Sequence, residues 1–114
     1  MAYLKNFSGQ ILLNIDNDQI KEFTGKVLYK IQGDRITDFY GRCLYRIDGN
    51  YIKEFSGRII LNITYDQVKE FTGQVIAKFD SSYIKNFTDS IQYKIDGFLS
   101  RRQLMALLAI LYAS

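Results

Sequence analysis

Residues 51–66 read YIKEFSGRIILNITYD, and this stretch is the fourth of six sixteen-residue units that follow one another without insertion or deletion. The units begin at Tyr3, Gln19, Arg35, Tyr51, Gln67 and Tyr83. A fixed period of this kind indicates that the place of a residue in its unit, numbered from 1 to 16, sets its environment. One small motif should therefore form six times.

Each unit has the pattern of a β-hairpin. Gly57 separates two runs that are rich in β-branched and aromatic residues, and glycine supplies the positive φ of a tight turn. In the second run, places 9, 11 and 13 are apolar in every unit, and place 12 is always Asn, Lys or Arg. This period of two predicts a strand whose places 9, 11 and 13 face the core.

Phenylalanine occupies place 5 of every unit. The first run is less regular than the second, because Ile52 and Phe55 are three residues apart and cannot share one face of a regular strand. A β-bulge in the first run would turn both side chains inward, and we expect this arrangement. In the alternative, the phenylalanines point outward beside place 10 and form an exterior apolar belt. The six residues are Phe7, Phe23, Phe39, Phe55, Phe71 and Phe87.

Twelve short antiparallel strands joined by tight turns form an up-and-down meander. Six similar units leave no reason for an open edge, so we predict an all-β fold with one C-terminal α-helix, in which about twelve strands close into an antiparallel barrel. A barrel of this size encloses a space that needs filling. We expect residues 1–114 to form one domain, with the hairpins in residues 3–98 and the helix in residues 99–113.

The tail has the pattern of a buried helix. Ser100 and Gln103 have capping-box spacing, and Leu99 with Leu104 has the spacing of a hydrophobic staple, so the helix should begin at Ser100. Residues 104–113 are all apolar, and ten residues are half of the roughly 20 needed to span a bilayer. Ten helical residues cover about 15 Å, the height of tilted barrel strands, so we predict that the helix threads the barrel centre.

The composition argues against an enzyme. The chain has no histidine, and no phosphate-binding loop, metal-spaced cluster or nucleophile motif is present. Its single cysteine, Cys43, excludes an intrachain disulfide and stands where other units have Ile or Val, as a small core hydrophobe would. We therefore expect no catalytic residue, no cofactor and no metal. The lack of a signal segment indicates a cytoplasmic protein.

Arg101 and Arg102 are candidate contact residues, because two cations in a first helical turn oppose the helix dipole. They should emerge at the barrel end where the aspartates of places 14 and 16 gather. One reading has them pair with these aspartates and anchor the helix. The other has them bind an anion.

A belt of Lys and Arg at places 3, 8 and 12 should cover the exterior, partly neutralised by acids at place 4. The net charge of +3 is mild for a nucleic-acid binder. Lys53 and Lys69, with Tyr51 and Tyr83 interleaved, are candidate contacts. We predict a non-enzymatic binding or scaffolding module whose partner is another protein or a second copy, bound at a rim or on the tyrosine-bearing wall. The alternative is binding of anionic lipid or nucleic acid through the belt.

Residues 41–57, GRCLYRIDGNYIKEFSG, resemble the repeat of the bacterial family called 4-fold beta flower, which has the same glycine-to-glycine spacing. The resemblance covers about 96 residues, with six units here against four in the family and with an added helix. Twelve strands around an apolar C-terminal helix are also similar to the tubby, scramblase and LURP-one-related barrel, although no sequence motif of those families is present. That second likeness is an analogy of fold.

Overall fold

The computed structural model describes residues 2–113, which form twelve strands and one helix. The strands are β1 (Ala2–Asn6), β2 (Ile11–Asp16), β3 (Gln19–Glu22), β4 (Val27–Gln32), β5 (Arg35–Asp38), β6 (Cys43–Asp48), β7 (Tyr51–Glu54), β8 (Ile59–Ile63), β9 (Gln67–Glu70), β10 (Val75–Phe79), β11 (Tyr83–Asn86) and β12 (Ile91–Asp96). The helix is α1 (Arg101–Tyr112).

The strands close into one antiparallel barrel. Each strand pairs with the next along the chain, and β1 pairs with β12 through partners such as Leu4 and Ile95. The predicted closed barrel of twelve strands with a single C-terminal helix is confirmed. The molecule is a thick disc that measures 36 × 34 × 20 Å.

Two kinds of turn alternate between the two ends of the barrel. Place 5 begins the turn that joins the two strands of one unit, and we call this end the phenylalanine end. The turns between successive units carry the aspartates, and we call the other end the aspartate end. At the phenylalanine end, Gly57 has φ 98° and its N–H donates to the Glu54 carbonyl at 2.9 Å. Asp89 takes the same place in the sixth unit, with φ 70°.

A β-bulge is present in every unit. We had expected it in the first strand, but it lies in the second. Ile52 pairs with Leu61 while Lys53 pairs with Ile59, so Ile60 is the extra residue. The other five units show the same shift at place 10. The extra residue breaks the alternation, and three place-9 side chains predicted to be buried are exposed. These are Ile11, Ile59 and Ile91, at 38%, 38% and 39%.

The expectation that the phenylalanines face inward is wrong. All six are exposed, with fractions from 46% for Phe39 to 75% for Phe71. The physical reason is that the first strand of each unit ends at place 4, as β7 does at Glu54. Place 5 belongs to the turn, where the alternation of a strand no longer sets the direction of a side chain.

One hydrophobic core joins strand and helix residues. Place 2 of every unit, Ile52 for example, is at most 1% exposed, and places 11 and 13 contribute further buried or half-buried side chains. In α1, the consecutive residues 105–109 are at most 2% exposed. Five consecutive residues cover more than a full helical turn, so this part of the helix is buried on all sides. The helix and the strands therefore share one core.

The start of the helix has the predicted capping box. Ser100 Oγ accepts from the Gln103 N–H at 3.2 Å, and Gln103 Oε1 accepts from the Ser100 N–H at 2.9 Å. Leu99 and Leu104 pack against the core, as expected for a hydrophobic staple. Across residues 2–113, no helix has the length and apolar character required to cross a bilayer.

Candidate functional site

The exposed phenylalanines form a ring at one end of the barrel. They occupy the same place in six units that follow one another around a closed barrel, so one phenylalanine stands at each of six successive turns. We call Phe7, Phe23, Phe39, Phe55, Phe71 and Phe87 the phenylalanine ring. Phe39 is the least exposed member, because its aromatic ring lies 3.9 Å, centroid to centroid, from that of Tyr40.

In the first, third and sixth units, the place-4 side chain accepts hydrogen bonds from backbone N–H groups of the turn that carries the phenylalanine. In the other three units, the place-4 glutamate accepts from the Ser or Thr hydroxyl of the turn. In the first unit, Asn6 Oδ1 accepts from the N–H groups of Ser8 and Gln10 at 3.1 and 2.9 Å. In the third unit, Asp38 Oδ1 accepts from the N–H groups of Tyr40 and Arg42, both at 3.0 Å. These bonds close the turn around place 5 and position the phenylalanine before any partner arrives.

The hydrogen bonds of its turn lower the pKa of Asp38. Desolvation by burial acts to raise the pKa of Asp38, but the hydrogen bonds from Arg42, the charge of Arg42 and the hydrogen bond from Tyr40 outweigh it. The pKa of Asp38 therefore lies below its ordinary value. The carboxylate stays ionised and keeps its turn closed at neutral pH.

The charges divide into three zones along the barrel axis. The six turns of the phenylalanine end carry five carboxylates and three cations, and the aspartate end carries seven carboxylates and two arginines. The outer face of the strands between these ends carries ten cations, and four of them (Lys5, Lys21, Lys53 and Lys78) form ion pairs with carboxylates at strand ends or in turns. These wall cations are Lys5, Lys21, Lys30, Arg35, Arg46, Lys53, Lys69, Lys78, Lys85 and Lys94. The net charge of +3 thus hides a strongly basic wall between two acidic ends.

Like charges face each other across strands of this wall. Arg46 on β6 lies opposite Arg35 on β5 and opposite Lys53 on β7. Directly opposed like charges destabilise a sheet. Lys53 is partly neutralised by Asp48, whose Oδ2 lies 2.7 Å from its Nζ. No carboxylate in residues 2–113 lies within ion-pair distance of Arg35 or Arg46.

The predicted wall contacts lie on the exterior but are not gathered into one site. Tyr51 and Lys53 share the outer face of β7, whereas Lys69 is on β9 and Tyr83 on β11. Tyr83 lies opposite Lys94. A shallow depression of about 570 Å³ runs from Tyr51 toward the phenylalanine end, and its other lining residues include Arg58, Ile59, Asn62, Glu70 and Phe71.

Arg101 and Arg102 lie at the aspartate end, next to turns of two different hairpins. Arg101 Nη2 donates to Asn50 Oδ1 at 2.9 Å, so its partner is a neutral amide and not one of the expected aspartates. Arg102 lines an open depression of about 480 Å³ with Asp18 and Gln103. Neither arginine lies within ion-pair distance of a carboxylate in the part of the chain that the structure describes.

Four half-buried tyrosines pack against the core: Tyr29, Tyr45 and Tyr93 on strands of the barrel, and Tyr112 at the end of α1. Burial first, and the neighbouring Tyr93 second, raise the pKa of Tyr112 to about 12. Burial and Tyr29 raise the pKa of Tyr45 in the same way. The hydroxyl groups of Tyr45 and Tyr112 therefore remain neutral at physiological pH, which suits packing better than acid–base chemistry.

The remaining polar groups of the described residues form no metal-type cluster. Within residues 2–113, no three or more Cys, Asp or Glu side chains come together in a group that could hold a metal ion. Cys43 is half-buried at the phenylalanine end, and its Sγ lies 3.6 Å from the Tyr45 carbonyl oxygen. The two surfaces that stand out are the apolar phenylalanine end and the basic outer wall.

Sequence reasoning missed the ring as the main candidate surface. The signal was present, because each place-5 phenylalanine stands two residues before the turn glycine of its hairpin (Asp89 in the sixth unit), as Phe55 does before Gly57, and so lies in the turn itself. Phenylalanine in a turn has no strand neighbours to pack against, which favours exposure. Comparison with family models, with curated proteins and with solved structures gives no match to this chain.

Proposed function

We propose that this chain is a non-enzymatic binding module that docks a protein partner through its phenylalanine ring. The observation that carries the proposal is the exposure of an aromatic residue at all six equivalent turns. Together the six side chains expose roughly 800 Å² of mostly apolar surface, given about 200 Å² for a whole phenylalanine. Large apolar side chains concentrated at one end of a domain are typical of an interaction surface.

The ring also has the composition and stiffness of an interface. Aromatic residues are enriched in the centres of protein–protein interfaces, and buried aromatic anchors dominate their energetics. The place-4 hydrogen bonds to backbone N–H groups hold three of the six turns in position, which lowers the conformational entropy that binding costs there.

A capture experiment tests the proposal. Immobilised wild-type protein is compared with a double variant, Phe23→Ser and Phe71→Ser, which removes two of the most exposed members of the ring. The matched control is Tyr65→Ser with Phe98→Ser, because these side chains are 95% and 84% exposed outside the ring. We expect partner proteins to be lost with the ring variant alone and to be retained at high salt. Equal capture by all three proteins would refute the proposal.

A second candidate function is the binding of single-stranded nucleic acid around the basic wall. Opposed cations such as Arg35 and Arg46 cost stability unless an anion relieves them. A flexible strand can follow a convex wall and stack its bases on Tyr51 and Tyr83, whereas a flat bilayer touches only part of the circumference. The test is the fluorescence anisotropy of a labelled oligonucleotide as salt is raised. Binding should weaken steeply with salt and should fall with Arg35→Gln and Arg46→Gln. Salt-independent binding, or binding to anionic vesicles alone, would contradict it.

The shared glycine spacing further leads us to propose kinship with the 4-fold beta flower-type repeat, a bacterial source and a cytoplasmic location. The closed barrel with its single helix supports the tubby-type analogy at the level of architecture alone.

A further inference from the structure

We infer that the partner of the phenylalanine ring is a second copy of this chain, with two barrels stacked phenylalanine end to phenylalanine end about a two-fold axis. The inference rests on the proposed function, because it uses the same ring. It adds the identity and the orientation of the partner.

The size of the ring matches a stable interface. A standard protein–protein interface buries about 800 Å² on each partner. The six phenylalanines alone expose roughly that area, on the end of a disc that is 36 × 34 Å across. One copy can therefore cover the ring of another completely, with no phenylalanine left in water.

The arrangement of the ring suits pairing with itself. A two-fold axis perpendicular to the barrel axis brings the same surface of both copies together, which is the geometry of most homodimers. The members of the ring recur once per unit around a closed barrel, and small residues such as Ser8, Ser56 and Thr72 follow them in the turns. A second ring rotated by half a unit places its phenylalanines in the gaps of the first.

The net charges favour stacking through the phenylalanine end over stacking through the aspartate end. The phenylalanine end has five carboxylates against three cations, a net −2, while the aspartate end has seven against two, a net −5. Two of the three cations are already paired within their own turns, Arg42 with Asp38 at 2.9 Å and Arg58 with Glu54 at 3.5 Å. Stacking through the phenylalanine end therefore meets little repulsion. The same weakly negative end offers no attraction to an anionic membrane.

Sedimentation velocity measures the association. We expect wild-type protein to be dimeric at micromolar concentration and to remain so in high salt, because the contact is apolar. Phe23→Ser with Phe71→Ser should shift the protein to monomer and raise the dissociation constant at least tenfold, whereas Tyr65→Ser with Phe98→Ser should leave the dimer intact. Circular dichroism of the ring variant checks that the monomer is folded.

Spin-label distances determine the orientation. Labels are placed at Ser56→Cys, in a turn of the phenylalanine end, or at Ser81→Cys, in a turn of the aspartate end, each in a Cys43→Ser background. In the stacked dimer, labels at Ser81→Cys should lie at least about 40 Å apart, twice the 20 Å height of the disc. Labels at Ser56→Cys should lie much closer together.

Each alternative outcome would refute a specific part of the inference. A monomer at concentrations on the order of 100 µM would refute self-association. The capture experiment would then still decide, independently, whether the ring binds another protein. A dimer that survives the ring variant, or one with equal distances at both labelled ends, would refute the stacked geometry. Binding of the ring to neutral phosphatidylcholine vesicles by a monomeric protein would assign the ring to lipid and refute the inference.

Discussion

Arg101 Nη2 lies 2.9 Å from Oδ1 of Asn50, and this hydrogen bond ties the first turn of α1 to a turn that precedes it by 51 residues. Two residues further along, Gln103 Nε2 donates to the Asn17 carbonyl at 2.9 Å. The start of the helix is thus tethered to turns of two different hairpins, in both cases through a neutral acceptor.

The first prediction distinguishes the contributions of Arg101 and Arg102 to stability. Arg101→Gln should lower the free energy of unfolding by less than about 1 kcal/mol, because its hydrogen bond is exposed to water. Arg102→Gln is the matched control, since it removes a cation from the same helical turn without breaking that bond, and it should leave stability unchanged or slightly higher. Thermal unfolding with and without sulfate measures both effects. Stabilisation of the wild type by sulfate, lost in either variant, would reveal an anion site instead of an anchor.

The second prediction tests the helix as the filling of the barrel. Leu107 is fully buried, so Leu107→Asp should cost about 3 kcal/mol or more, because a charge loses water without gaining a partner. Leu107→Met, which conserves volume, should cost less than about 1.5 kcal/mol. Deletion of residues 99–114 should abolish soluble folding. A truncated chain that remained monomeric with an unchanged unfolding transition would contradict a helix inside the barrel.

The third prediction compares Ile52 in β7 with Phe55 in the turn that follows β7. Ile52 is 0% exposed and Phe55 is 66% exposed. Ile52→Ala should therefore destabilise the protein by about 2–5 kcal/mol, whereas Phe55→Ser should stay within about 0.5 kcal/mol. Chemical denaturation of the two variants at low protein concentration, where self-association does not contribute, provides the comparison. Similar losses for both would mean that the phenylalanines pack inward after all.

The fourth prediction concerns the turn of the sixth unit. Asp89 has φ 70°, a conformation that costs free energy for a residue with a side chain, and Asp89→Gly should stabilise the protein by about 0.5 kcal/mol. The gain is small because glycine is also more flexible when unfolded and because the 3.3 Å contact between Asp89 and Lys78 is lost. The reverse change, Gly57→Asp, should cost about 1 kcal/mol. A Cβ at Gly57 meets open space, so no steric clash adds to the backbone strain.

The fifth prediction concerns alkaline pH. The pKa of Tyr112 rises from its ordinary 10.0 to about 12 in the folded protein. Below pH 10 the hydroxyl is protonated in both states, so stability does not change. Between pH 10 and about 12 the unfolded state has lost the proton that the folded state keeps, so stability falls as pH rises. Tyr112→Phe should flatten this fall, measured by denaturation at stepped pH, and Tyr65→Phe, at a 95% exposed position, should not.

The hairpins and the capped helix were predictable because each depends on short-range patterns, and the closure was predictable because six similar units leave no reason for an open edge. Gly57 predicts a turn, the apolar places predict a buried face, and Ser100 with Gln103 predicts a helix start. The bulge at Ile60 was not predictable in position. Either strand of a hairpin can accept the extra residue, and the choice depends on how both strands meet the barrel wall.

By itself the sequence determined the period, the number of strands, the antiparallel order and the need for an apolar filling, because these follow from spacing and polarity along the chain. The tertiary structure alone decided where the surfaces lie. Strand pairing set Arg46 between Arg35 and Lys53, and the end of β7 at Glu54 left Phe55 in a turn, facing water. Both outcomes depend on register and on strand length, which are set by contacts between residues far apart in the chain.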